Sequence, residues 1–179
     1  IVIVTGQLKA SRTNGNEKEQ VFLFVEDGGA IGFAGALGRP VSPWDIVARR
    51  STDAVVIPFD AVQKAIKQDG QFALLFADLA ERQGDALRQL ADDISLLDAT
   101  SRLAKWLWAY LEKSYPGQGS NFVAVLPFTQ SEIASQIGTV REVISRGLGI
   151  LQKQGIISVS GKRLHVNDRK RLAQFFADA

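Results

Sequence analysis

The stretch from Phe128 to Val166 constrains the fold more tightly than any other part of this 179-residue chain. Thr129-Gln130-Ser131-Glu132 has capping-box spacing: the threonine hydroxyl can accept from a first-turn amide while the glutamate reaches back. Ile133, Ala134 and Ile137 then give a short helix its apolar face, and Gly138 is a natural stop. Thr139-Val140-Arg141-Glu142 repeats the capping-box spacing at once, which predicts a second helix over 139–153. Two capped helices joined by one glycine-containing turn predict a helix-turn-helix. After Gly155, Ile156–Ser160 and Lys162–Val166 alternate around Ser160-Gly161, so a β-hairpin wing is expected to follow.

Helical geometry sorts the second helix into two faces. Val140, Ile144, Leu148 and Leu151 fall at i, i+4, i+8 and i+11 and predict a buried side. Arg141, Glu142, Ser145 and Arg146 cluster on the opposite face, at its N-terminal end. A purely structural helix has no need of such a cluster. A helix entering the DNA major groove does, because its N-terminal residues meet base edges there. Arginine can donate twice to guanine O6 and N7, glutamate can accept from cytosine N4, and serine can serve either role. A carboxylate facing polyphosphate is costly without such a donor, so Glu142 favours base readout over phosphate contact. The plainer reading is a solvated face holding an internal Arg–Glu pair. Lys162 and Arg163 at the wing tip, with Thr129, Gln130 and Thr139 at the helix starts, are the candidates for the phosphate backbone. His165 alternates with inward Leu164 and Val166 and is expected at the surface, not on a metal.

The first half reads as β. Ile1–Val4 and Gln7–Arg12 are short strands, Thr13-Asn14-Gly15-Asn16 carries the Asn-Gly signal of a tight turn, and Gln20–Val25 is apolar on both faces. Further strands fit Trp44–Ala48 and Ala54–Ile57, a spacing that suggests a small antiparallel barrel or roll. The glycines between 28 and 38 lack the Lys-Ser/Thr of a P-loop and miss the dinucleotide fingerprint, so turn geometry is the expected role. Asp60 is placed to cap a short helix running to Gln68, with Gln63 at its third position.

A long helix is predicted from Gln71 to Leu97. Phe72, Phe76, Leu79, Gln83, Ala86, Leu90 and Leu97 form a narrow heptad-like stripe with a polar residue in the seam, which fits a two-stranded coiled coil and a homodimer. Packing of the same stripe on its own barrel is the alternative. A second amphipathic helix spans Asp98–Tyr115 with Leu103, Leu107 and Leu111 as core, and Pro116–Asn121 is a loop by composition. The expected fold class is α+β: a partial β-roll over 1–70, a dimerisation helix over 71–98, and a winged helix-turn-helix over 99–179.

Charge agrees with that division. Residues 98–179 carry 11 Lys/Arg against 6 Asp/Glu, whereas residues 1–97 carry 10 against 13. A basic domain joined to an acidic one suits a nucleic-acid reader attached to something else. Cysteine is absent and histidine occurs once, which leaves no thiolate metal site, cysteine nucleophile or histidine triad in this chain. We expect no enzyme, no metal and no cofactor. No apolar run approaches the roughly 18–20 residues of a bilayer span, so a cytoplasmic protein without membrane contact is expected. The chain has no methionine and begins inside Ile1-Val2-Ile3-Val4, which suggests N-terminal truncation.

These features together resemble the cyclic-AMP receptor/fumarate-nitrate regulator (CRP/FNR) superfamily of bacterial transcription factors. The resemblance runs the length of the chain. It is strongest over Thr129-x-x-Glu132-Ile133-Ala134-x-x-Ile137-Gly138-x-x-Arg141-Glu142-x-Ile144-Ser145-Arg146-x-Leu148, and Leu97–Ala104 resembles the family's hinge. It implies a truncated, cyclic-nucleotide-binding-like β-roll (a double-stranded β-helix) whose first strands precede residue 1, and a homodimer reading an inverted repeat in double-stranded DNA. By that resemblance Arg141, Glu142, Ser145 and Arg146 fall on DNA-reading positions. The Glu-x-x-Ser-Arg subpattern resembles the branch that reads TTGAT half-sites, and an arginine directly before the glutamate resembles the branch that reads TGTGA. The shared expectation is a half-site with a central G·C pair or TGA core.

The sensor half departs from the family's ligand patterns. Cyclic-nucleotide binders carry Gly-Glu where Gly32 and Phe33 stand, an Arg-Ser pair at Pro43 and Trp44, and a Thr-Ser pair at Leu87 and Arg88. Gly32, Phe33, Trp44, Leu87 and Arg88 therefore mark the expected effector pocket, and cyclic AMP is not its expected ligand. An apolar effector, a protein partner, or no effector remains. Activation would also need a surface for RNA polymerase, which no local motif announces. The alternative function is an effector- or protein-binding module whose winged helix serves protein contact.

Overall fold

Short alternating runs build the first of two units, Ile1–Gln89; the computed structural model describes residues 1–39 and 42–177. Its elements are strands Val2–Thr5 (β1), Gln7–Thr13 (β2) and Glu19–Glu26 (β3), a one-turn helix Phe33–Ala36 (α1), strands Asp45–Ala48 (β4) and Asp53–Val55 (β5), and helix Phe59–Gln68 (α2). β2 is central in an antiparallel sheet ordered β3-β2-β4, and β1 pairs with β5. Leu8 faces Val25 and Ala10 faces Leu23. Period-2 alternation thus gathers these four with Ile3 and Ile31 into one core. The other face of β3, also expected to be buried, is only half covered: Phe22 stacks on Trp44 at 6.0 Å and the Arg49 guanidinium lies over Phe24 at 5.5 Å.

Two local expectations need correction. The Asn-Gly signal becomes a longer loop in which Asn14 Oδ1 accepts from the amides of Asn16 and Lys18, each at 3.0 Å, and the residue with positive φ is Glu17, not Gly15. An asparagine side chain that bonds the backbone two residues on replaces the two-residue turn. Asp60 does not cap α2. That helix starts at Phe59, after Pro58 has set an extended entry, and Gln63 donates instead to the Ala36 carbonyl at 2.9 Å.

Gly6, between β1 and β2, needs to be glycine. Its φ is +117°, its amide donates to Asp27 Oδ1 at 2.8 Å, and an added Cβ would lie 2.6 Å from the Thr52 Cα. Gly6→Ala is expected to destabilise this unit by about 2–4 kcal/mol, combining a disfavoured backbone with a clash that backbone atoms cannot yield to. A lower denaturant midpoint at unchanged slope is the readout; an unchanged midpoint would contradict it.

The long helix, Gly70–Leu96 (α3), has 27 residues. Asp69 starts it, its Oδ1 accepting from the amides of Gln71 and Phe72 at 2.8 and 3.1 Å. No residue of α3 is buried, and Leu97, assigned to its stripe, lies just beyond its end. Among the described residues, no helix is long and apolar enough to cross a membrane.

The second unit, Leu90–Ala179, takes in the last turns of α3. It contains helix Ala99–Ser114 (α4), strand Phe122–Val125 (β6), helices Gln130–Ile137 (α5) and Arg141–Lys153 (α6), strands Ile157–Ser160 (β7) and Arg163–Val166 (β8), and helix Arg169–Ala177 (α7). Asp178 and Ala179, part of the predicted 99–179 domain, lie outside the described residues. Asp98 caps α4 by accepting from the amides of Thr100 and Ser101 at 2.7 and 2.8 Å. Leu103, Leu107 and Leu111, four apart on α4, are wholly buried against Ile133, Ile144 and Leu151.

β6 and α7 were not anticipated. β6 pairs with β8, giving a three-stranded antiparallel sheet ordered β6-β8-β7, and α7 buries Leu172. Arg169 fastens the loop before β6: its guanidinium bonds Glu112 at 2.6 Å and the Gln118 carbonyl at 2.7 Å.

Candidate nucleic-acid interface

α5 begins with the predicted capping box. Thr129 Oγ1 accepts from the Glu132 amide at 3.1 Å, while the Thr129 amide donates to Glu132 Oε2 at 2.8 Å. The helix closes at Gly138, which takes the left-handed conformation at φ 71°, and the Thr139 amide donates to the Ala134 carbonyl at 3.0 Å. Trp106 Nε1, on α4, donates to Gln136 Oε1 at 3.0 Å and so helps seat α5. Thr129→Ala is expected to cost the second unit about 1 kcal/mol through loss of this cap. Thermal unfolding checks it, and an unchanged midpoint would mean that the box is not needed.

The second capping box is not formed. Gly138 and Thr139 are spent closing α5, so the extended residue before α6 is Val140, with no side-chain cap. Val140 is accordingly 43% exposed, not part of the buried face. The rest of that face is as expected: Ile144, Leu148 and Leu151 are buried, and Gly147 packs so closely that an added Cβ would lie 2.9 Å from Leu103 Cδ2.

Arg141, Glu142, Ser145 and Arg146 are all exposed on the first turns of α6. Among the described residues, their side chains make no hydrogen bond or ion pair with the rest of the chain. The internal Arg–Glu pair of the plainer reading is thus absent. Donors and an acceptor are held on a rigid helix with their hydrogen-bonding capacity unspent.

The wing is anchored at both ends. β8 is bonded on both sides, Ser160 pairs with Arg163 across the turn at Gly161, and Gln152 Oε1 on α6 accepts from the Val159 amide at 2.9 Å. Lys162 and Arg163 are exposed at its tip. Of the other backbone candidates, Gln130 and Thr139 are half-buried, and the Thr129 hydroxyl is already engaged by Glu132. His165 is half-buried between Val123 and Ser158 on neighbouring strands.

Arg102, within the hinge-like stretch Leu97–Ala104, holds this domain to the end of α3. Its Nε donates to the Ile137 carbonyl at 2.8 Å and its Nη1 to the Leu97 carbonyl at 2.7 Å. Lys105 adds an ion pair with Asp93 at 2.6 Å. Only the tertiary path could reveal these bonds, because the arginine's acceptors, a longer contact to the Ile94 carbonyl at 3.5 Å included, are all backbone carbonyls.

The expected effector residues are dispersed. Gly32 and Phe33 line two adjoining cavities in the first unit, and Trp44 lines the second of them. Leu87 packs against the core of that unit. Arg88 lines neither cavity; its guanidinium is bound to Glu81 at 2.6 Å and Asp85 at 2.5 Å along α3.

A capped helix, a left-handed glycine, a second helix with an unspent polar face and a three-stranded wing define a winged helix-turn-helix protein. The Crp-like helix-turn-helix domain matches residues 101–175, and the cyclic nucleotide-binding domain matches residues 1–69. The chain belongs to the CRP/FNR family of transcription regulators. It is 28% identical to the anaerobic regulatory protein of Pasteurella multocida over 176 residues, which is 96% of this chain and 63% of that one. It is 26% identical to the cAMP-activated global transcriptional regulator of the same organism, over 92% of this chain and 78% of that one. A crystal structure of a CRP/FNR family regulator from Eubacterium rectale superposes with a TM-score of 0.78 at 23% identity, over 98% of this chain and 79% of that one. The chain thus spans less than two thirds of the length of the Pasteurella anaerobic regulator.

Proposed function

We propose that this chain is a homodimeric, sequence-specific DNA-binding transcription regulator that reads an inverted repeat through α6. The observation that carries this is the unspent polar face of Arg141, Glu142, Ser145 and Arg146, at the end of the helix that meets base edges in such domains. Two-fold symmetry would set the two recognition helices roughly 34 Å apart, in successive major grooves. No residue of α3 is fully buried and its Leu74, Leu75, Ile94 and Leu96 are exposed, which supports the dimer because an amphipathic helix this long needs cover, although Phe76 of the stripe meets Phe33 of its own unit at 5.2 Å. An intracellular place beside DNA, and RNA polymerase as the partner of any activation, belong to the same reading.

Cyclic AMP is not the effector in this reading. Its phosphate needs a cation, yet Phe33 follows Gly32, Pro43 and Trp44 occupy the Arg-Ser positions, and Arg88 is committed to two carboxylates.

Fluorescence anisotropy on labelled duplexes across a salt series tests the function. Binding is expected to weaken steeply as salt rises, through release of counterions from phosphates. Lys162→Ala should weaken specific and random duplexes alike and lower the salt slope by about 1 per chain. The absence of salt-sensitive binding to any duplex would favour protein contact as the role of the winged helix.

A further inference from the structure

Two glycines stand inside α6, and the chain itself explains only one of them. Gly147 packs against α4, where an added Cβ would lie 2.9 Å from Leu103 Cδ2. Gly149 has open space around it: an added Cβ would meet nothing within 4 Å, and its φ is not positive. Past the first residue of each described helix, the other glycines are Gly35, Gly84 and Gly147, each with a side-chain atom within 3.3 Å of its Cβ position. Glycine is among the poorest helix formers. An interior one that neither a turn nor a packed neighbour requires points to the close approach of something outside the chain.

Gly149 comes three residues after Arg146 and four after Ser145, so helical geometry sets it on the face that carries the DNA-reading candidates. Lys153, four further on, continues that face; it is exposed and makes no ion pair among the described residues. Along the axis, Gly149 lies eight residues beyond Arg141, or about 12 Å, which is about the width of the major groove. A helix whose first turn meets base edges has therefore reached the groove wall at Gly149, where the nearest groups are sugars and phosphates. We propose that the sugar–phosphate strand bounding the groove crosses α6 at Gly149, against bare backbone, with Lys153 pairing to its phosphate just beyond. The inference rests on the DNA-reading role of α6 and adds to it the point of closest approach.

The test uses the whole chain in fluorescence anisotropy against two probes: the tightest duplex that the native chain enriches from a randomised pool, and a scrambled duplex of the same composition. Gly149→Leu is expected to weaken the enriched duplex at least about tenfold and the scrambled one less than about threefold, because only a closely docked helix presses on the strand. Gly149→Ala should give a smaller loss. Both substitutions replace glycine by a strong helix former, so the thermal midpoint should rise, by about 3–8 °C for alanine. Affinity and stability moving in opposite directions is a signature that lost packing within the chain does not produce. Lys153→Gln should weaken both duplexes alike and lower the salt slope by about 1 per chain. Native affinity retained by Gly149→Leu, a thermal midpoint not raised by Gly149→Ala, or an unchanged salt slope in Lys153→Gln would overturn the proposal while leaving the DNA-reading role standing. Failure of the native chain to enrich any duplex would overturn both.

Discussion

Glutamate in place of Leu90 is expected to split the dimer and to lower affinity for a full inverted repeat by about 10²- to 10⁴-fold. Gln83, Ala86 and Leu90 continue one stripe of α3 at steps of three and four, and no residue of α3 is buried within a single copy. Leu90 is half-buried within one chain, so circular dichroism must show the variant folded; in the dimer the substitution sets a desolvated carboxylate in the seam, where it has no partner. Once one recognition helix is bound, the seam holds the second near its half-site, so that step proceeds at high effective concentration. Without the seam, a single helix keeps only its own contacts. Sedimentation should show a monomer, and the variant should bind full and half sites equally. A variant that stays dimeric, or a monomer that binds the full repeat as tightly as the native chain, would contradict the assignment.

Arg146→Ala is expected to cost roughly 1–3 kcal/mol per half-site, or about 5- to 150-fold, and to flatten base preference at one position of the site. Its guanidinium is exposed and unpaired, one turn into α6, where a planar fork can match guanine O6 and N7. Lysine should not restore the preference, since a point charge lacks the two parallel donors. Binding to random DNA should fall far less. Equal losses on specific and random duplexes would instead place Arg146 on the phosphates, alongside Lys162.

The legible parts of this chain were those governed by short-range chemistry. The capping box at Thr129–Glu132, the stop at Gly138 and the four-residue spacing of Leu103, Leu107 and Leu111 each need only a few neighbours in sequence. Sequence spacing and structure part where neighbouring elements compete for the same residues. Thr139 has capping spacing for α6, yet its amide finishes α5, so the second helix starts uncapped one residue later. Pro58 similarly displaces Asp60 as the start of α2. β6 was illegible because four residues carry little alternation, and its pairing partner β8 lies some forty residues further on. That Arg141, Glu142, Ser145 and Arg146 lie exposed on the first turns of α6 needed only helical geometry. The first of the two adjoining cavities depends on Ile31, Val62 and Phe76, which only the tertiary path brings together.

In the proposed function α6 reads DNA sequence as one half of a symmetric pair. Selection of bound duplexes from a randomised pool, at moderate salt and with no ligand added, tests it most directly. Enrichment of an inverted repeat, with half-sites holding a G·C pair or TGA core and spaced about one helical turn apart, is the predicted result. Enrichment of unpaired single sites, or salt-sensitive binding with no enrichment at all, would contradict it.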